Sequence, residues 1–199
     1  MKITKFVLRM WIFAFLLLLP SFLSAGDATK QLSTTIDGFV PINSNTPREE
    51  LQATGMPESA RKLVLARFDF SEMTKRSLGR HWTSLNRGEQ KQFVDAFTQW
   101  QLISFGRIVR SSGGHEVQFN RELQDGKDAS VETRVVRHYS EDLPIDYWLH
   151  NVNGQWKVYN MVIDHVDIVK NVRAQFDRVV AKSSLQELLQ RVKDQNPRS

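Results

Sequence analysis

The chain has 199 residues, 41% of them hydrophobic and 25% charged, with 27 Lys and Arg against 22 Asp and Glu and no cysteine. This length and balance describe one globular domain able to bury a core, not a disordered chain. The missing thiols exclude a disulfide framework, a thiolate zinc site and a Cys nucleophile.

The first segment reads as an address. Lys2, Lys5 and Arg9 precede an apolar run from Met10 to Leu19, Pro20 ends it, and Ser24, Ala25 and Gly26 follow. A basic start, an apolar stretch of about 7–15 residues and a small-residue site make a secretory signal peptide. The run falls short of the roughly 20 residues a membrane span needs; an uncleaved anchor is the other reading. A cut after Gly26 is predicted, leaving residues 27–199 as a single domain. The cut lowers 27 basic residues to 24 against 22 acidic ones, so the net charge falls from +5 to +2. That is too little to argue for nucleic acid. A secreted chain without cysteine suits a bacterial periplasm.

Helices are predicted through the first half. Leu32, Ile36, Phe39 and Val40 are helically spaced in a helix from Asp27 that Pro41 stops. Pro47 opens a short helix near Arg48–Ala53, broken at Gly55-Met56-Pro57. Glu58 to Ala66 is the next helix, and Phe68-Asp69-Phe70 an extended piece. Ser71 is expected to cap a helix ending at Leu78, with Gly79 as its stop. Asn86 and Glu89 have capping-box spacing at the head of a long helix to about Val109. Phe93, Phe97 and Trp100 share one face of it. Beyond Trp100, Leu102, Ile103, Phe105, Ile108 and Val109 leave little polar surface, so this end should be buried.

After Gly113-Gly114 the period changes from helical to alternating. Strands are predicted at His115–Leu123, Ala129–Tyr139, Ile145–Val152 and Gln155–Ile163, with turns at Asp125-Gly126 and Asn153-Gly154. Helices around Ile168–Lys182 and Ser184–Lys193 close the chain. The class is α+β: helices packed on a curved four-stranded antiparallel sheet. With Asn153 and Gly154 as the two loop residues, Leu149 faces Val158, Tyr147 faces Asn160 and Ile145 faces Val162. One face then carries Ile145, Tyr147, Leu149, Trp156, Val158 and Val162 and should meet the helices. The other carries Trp148, Tyr159 and Met161 among polar residues. A slip of one residue would invert this.

Motifs for familiar chemistries are missing. The sequence holds no His-Glu-x-x-His, Gly-x-Ser-x-Gly, phosphate loop or dinucleotide fingerprint. Asp164, His165 and Asp167 cluster at the end of the last strand. They read either as an Asp–His acid–base pair or, more commonly, as acidic caps of a helix N-terminus. Asp146 is a second candidate base, although its strand position is on the polar face. Arg80-His81-Trp82 reads as an anion site or as core packing with a carboxylate partner for Arg80, the second being favoured. Composition and spacing stop at a secreted α+β binding domain.

Several stretches together are similar to a known family: Phe68-Asp69-Phe70, Leu78-Gly79-Arg80-His81-Trp82, and Glu89-Gln90 leading to Phe93. The second half adds Ile145-Asp146-Tyr147-Trp148-Leu149, Gly154-Gln155-Trp156-Lys157-Val158-Tyr159 and Asn171-Val172-Arg173-Ala174-Gln175-Phe176. In this order and spacing they resemble the MlaC family of periplasmic phospholipid-binding proteins, also called toluene-tolerance or auxiliary ABC-transport proteins. The resemblance runs from about Asp27 to Lys193.

It implies a carrier whose sheet and helices, shaped like the NTF2-type cone, enclose an apolar lipid pocket. The ligand implied is a phospholipid, or a hopanoid as in one branch of the family. The implied partners are an inner-membrane ABC transporter complex bearing an MCE-domain ring and an outer-membrane lipoprotein–porin complex, in maintenance of outer-membrane lipid asymmetry. No enzyme activity, cofactor, metal or nucleic acid is implied. Candidate lipid-lining residues are Phe97, Ile103, Val135, Tyr147, Leu149, Val158 and Val162. The competing readings are an enzyme on a cone-like fold, with Asp146 or Asp164 as base, and a non-lipid adaptor with a filled interior.

Overall fold

The structure is a computed structural model describing residues 26–38, 55–112, 115–137 and 140–195. The expected stop at Pro41 and short helix near Arg48–Ala53 lie outside the described residues. Helix α1 (Asp27–Asp37) closes at Gly38, ahead of the expected end, glycine being the poorest helix former after proline. Helix α2 is Glu58–Arg67 and α3 is Phe70–Leu78.

The cap of α3 is Asp69 rather than Ser71: its carboxylate accepts from the Glu72 N–H at 2.9 Å. The reason is tertiary. The Asp69 N–H donates to the Val158 carbonyl at 2.8 Å, and Phe68 bridges Val158 in parallel, so the chain stays extended up to Asp69. Gly79 ends α3 at φ +55°, where a Cβ would meet the Arg173 guanidinium at 2.4 Å. The guanidinium is the movable end of a long side chain, so it is the positive φ that calls for glycine there.

A 3-10 turn (Gly79–Ser84) leads to α4 (Arg87–Ser112). The expected capping box is present. The Asn86 N–H donates to Glu89 Oε2 at 2.9 Å, and the Glu89 N–H to Asn86 Oδ1 at 3.0 Å, so each side chain satisfies an orphan donor.

Strands β1 (Val117–Asp125), β2 (Asp128–Val135), β3 (Leu143–Val152), β4 (Gln155–Ile163) and β5 (Val166–Asp167) form an antiparallel meander in chain order. The sheet thus has five strands, not four: Asp164 and His165, at φ 48° and 63°, turn the chain so that two more residues pair with β4. The first turn is Gly126-Lys127, since the ladder continues to Asp125 opposite Asp128. β2 ends at Val135 rather than Tyr139; His138 and Tyr139 lie outside the described residues. Asn153 and Gly154, at φ 52° and 84°, form the expected loop, both left-handed as a two-residue hairpin of matching twist requires. Helices α5 (Ile168–Lys182) and α6 (Leu185–Asp194) follow, capped by Asp167 and Ser184.

The β3–β4 register corrects the expectation. Leu149 does face Val158, but a bulge follows, and Tyr147 then faces Met161, Asp146 faces Val162 and Ile145 faces Ile163. The extra residue, Tyr159, moves every later β4 side chain to the other face. Met161 and Ile163 therefore join Ile145, Tyr147, Leu149 and Val158 on the helix-facing side, while Val162 joins Asp146 opposite. A second bulge, between Phe119 and Arg121, aligns Glu122 with Val131. The Glu122 carboxylate accepts the Thr29 N–H at 2.8 Å, offsetting the positive end of α1.

The core lies between this face and the helices. Val131, Leu149, Val158, Met73, Leu78, Phe93, Phe97 and Leu102 are all but inaccessible. Arg67 ties the layers, donating to Gln31 Oε1 at 2.9 Å, to Thr35 Oγ1 at 3.1 Å and to the Trp156 carbonyl, so α1, α2 and β4 share one guanidinium.

Candidate functional site

Among the described residues no three His, Cys, Asp or Glu side chains gather as metal ligands would. Asp164 and His165 are exposed in a turn, and Asp167 does what an acidic cap does, accepting the Lys170 N–H at 2.8 Å. Asp146 lies half-buried on the sheet face away from the helices. Burial first and Glu132 second hold its carboxyl above the ordinary carboxylate range, with His165 opposing. Arg80 and His81 share Asp177, at 3.9 and 2.8 Å, and Trp82 packs on the core. That is the structural role favoured for this tripeptide.

Three clefts line up along the second half of α4. The first, about 80 Å³, lies between helices and sheet. Val64 and Phe68 come from α2 and its end, Phe105 and Ile108 from α4, Ile145 and Tyr147 from β3, and Met161 and Ile163 from β4. Every one is apolar except for the Tyr147 hydroxyl, whose pKa burial pushes well above that of an ordinary phenol, so it stays neutral. Phe68 sits with Phe105 and Phe70 at ring-centroid distances of 5.0 and 5.9 Å. A wall of this kind has nothing to offer an ion and favours hydrocarbon.

A second cleft, about 180 Å³, lies between α4 and α5. It shares Phe105, Ile108 and Ile163 with the first and adds Gln101, Ser104, Asn171 and Gln175. The third, about 220 Å³, lies among α4, α5 and α6 and shares Trp100 and Gln175 with the second.

Of the seven residues expected to line a pocket, Tyr147 alone is on the wall of the sheet cleft. Phe97 is packed edge-on against Trp100 and Phe176 at 5.8 and 6.4 Å. Val135, Leu149 and Val158 are closed core on the inner sheet face, and Ile103 is buried on α4. Val162 faces away, for the reason of the bulge. The lining residues left out were Val64, Phe68, Phe105, Ile108, Ile145, Met161 and Ile163. Their signal was partial: the apolar end of α4 was visible, but not the bulge that turns Met161 and Ile163 inward.

The family model described as MlaC protein matches residues 39–194. A stretch of 89 residues is 40% identical to the toluene tolerance protein ttg2D of Pseudomonas putida; it makes up 44% of this chain and 41% of that protein's length, well under two thirds of it. A solved structure from Ralstonia solanacearum, described as a phospholipid-binding protein in complex with a phospholipid, superposes with a TM-score of 0.72. It covers 86% of this chain and 97% of its own at 21% identity, a likeness of fold.

Proposed function

The chain belongs to the MlaC family, and from that premise we propose that it is a periplasmic carrier of phospholipid, taking acyl chains between sheet and helices and ferrying them across an aqueous space. The observation that carries this reading is the uncharged apolar cleft of Val64, Phe68, Phe105, Ile108, Ile145, Tyr147, Met161 and Ile163. The phospholipid-bound neighbour of the same fold supports it. The predicted signal peptide, cut after Gly26, would deliver residues 27–199 to that compartment.

The energetics favour a carrier over a free exchange. A two-tailed lipid carries roughly 30 methylenes, each gaining about 0.8 kcal/mol on leaving water. The gross sum exceeds the practical affinity ceiling of about 21 kcal/mol. Membrane extraction offsets most of it, because the tails were already dry. What remains is a barrier to release into water, and docking on a partner that offers another apolar passage lowers it. An inner-membrane ABC transporter complex with an MCE-domain ring and an outer-membrane lipoprotein–porin complex are the partners this reading expects. The chemistry needs no catalytic base, metal or nucleotide.

The test is native mass spectrometry of protein released gently from the periplasm. About one lipid per chain is expected, and its mass and fragments assign phospholipid or hopanoid. Lipid-free spectra throughout gentle preparations would overturn the reading.

A further inference from the structure

We propose that His150 is a positioning residue for the acyl cleft: it holds Asp69, Asp69 fixes Phe68 as one wall, and the rate at which lipid leaves depends on that hold. The proposal deepens the carrier reading and rests on it.

Phe68 and Asp69 join α2 to α3. Phe68 is extended, at φ −96° and ψ 137°, and consecutive side chains of extended backbone leave on opposite sides. Phe68 goes inward. It lines the sheet cleft with Tyr147 and Met161. Asp69 goes outward and meets His150, which follows the inward-facing Leu149 on β3 and so stands on the outer face of the sheet. His150 Nε2 lies 3.0 Å from Asp69 Oδ2, while Asp69 Oδ1 accepts the Glu72 N–H at 2.9 Å. A carboxylate can only accept, so the imidazole donates. Both side chains are about a quarter exposed, which shelters the bond from water.

The same imidazole meets the β4 bulge. The ring of Tyr159, the extra residue, lies edge-on to it with centroids 5.3 Å apart, and Arg76 of α3 covers the Tyr159 ring, 4.1 Å from its centre. Arg76 in turn pairs with Glu72 at 2.8 Å. His150 thus touches both features that shape the cleft, the residue pair that presents Phe68 and the bulge that presents Met161.

The main chain here is anchored by the Asp69 N–H on the Val158 carbonyl and by Lys157 Nζ on the Ala66 carbonyl. These contacts fix where the segment runs but leave its rotation about its own axis open. The His150–Asp69 bond closes that freedom, since a rotation that takes Phe68 out of the cleft also takes Asp69 from His150. Phe68 is the one lining residue of the sheet cleft outside the helices and strands. It can therefore swing without unwinding a helix or parting a ladder, and it is the wall whose hold decides how readily a tail passes.

The experiment replaces Phe68 with para-fluorophenylalanine in lipid-free protein and reads its fluorine spectrum. Wild type should give one sharp resonance. His150→Ala should broaden or split it, and His150→Gln, whose amide nitrogen stands about where Nε2 does, should restore it. The same label at Phe93, in closed core, should be unmoved by either variant. An unchanged Phe68 resonance in His150→Ala, or equal disturbance at Phe93, overturns the proposal. Transfer of pyrene-labelled phosphatidylglycerol from loaded protein to phosphatidylcholine vesicles reads the consequence. His150→Ala should release it about fivefold faster, the worth of one net hydrogen bond, and His150→Gln at close to the wild-type rate. Equal rates in wild type and His150→Ala overturn the proposal. Wild-type protein that takes up no lipid overturns the carrier reading instead, and the fluorine spectra still decide whether His150 holds Phe68. Should His150→Ala fail to fold, His150→Phe takes its place, keeping a ring beside Tyr159 without a donor for Asp69.

Discussion

Single side chains decide where this fold is pinned. Glu122 reaches α1 because a bulge turns it inward, and its carboxylate takes the Thr29 N–H. Glu122→Ala should cost about 1 kcal/mol, the usual worth of a helix cap, read as a lower urea midpoint with an unchanged slope. Asp146 gives a pH-dependent test. Its carboxyl is held above the ordinary range by burial first and Glu132 second. A raised acid pKa means that the folded state prefers the proton. The associated stability is therefore full below the unfolded pKa and lost as pH rises through the folded one. Asp146→Asn should raise the melting temperature at neutral pH and give no gain near pH 3, about a unit below an ordinary Asp pKa. A gain that persists undiminished in acid would contradict this account of the site.

At the scale of elements, β4 carries the functional consequence. Its bulge at Tyr159 presents Met161 to the sheet cleft and Val162 to the opposite face. A matched pair of variants separates this register from an unbulged one. Met161→Asp should abolish bound lipid, because a carboxylate buried in hydrocarbon is unpaired, while Val162→Asp should leave native mass spectra with lipid intact. The reverse result would restore the unbulged register. Leu149→Ala, on the closed part of the same face, should cost about 2–5 kcal/mol as a buried truncation, measured by chemical denaturation.

For the molecule as a whole, the apolar space is divided. The sheet cleft holds about 80 Å³, against the roughly 300–1,000 Å³ common for ligand pockets. It shares part of its wall with its neighbour, since Phe105, Ile108 and Ile163 line both. On the carrier reading, two acyl chains need more room than this, so the residues around the clefts must move apart on loading. On the same reading, bound lipid stabilises the folded protein by mass action, about 4 kcal/mol at a thousandfold excess over the dissociation constant. Delipidated protein should melt well below the loaded form, and hydrogen exchange along α4 and α5 should slow on loading. Identical melting of the two forms would show that the clefts are not where lipid sits.

Much of the fold was legible because its signals are local. The Asn86–Glu89 box, the Gly79 stop, the Asn153-Gly154 loop and the ends of β4 and α5 each follow from residues within a few positions of one another. The cap at Asp69 was not legible, because the Val158 carbonyl that holds Asp69 extended comes from a strand far along the chain. The face of Met161 was hidden for a related reason: alternation alone allows either register, and only packing against α4 and α2 selects the one with a residue to spare. Sequence therefore determined the elements, the α+β class and the family likeness, through periodicity and turn chemistry. The tertiary structure alone decided which apolar residues border empty space, since a void is a property of how layers meet and no residue encodes it by itself.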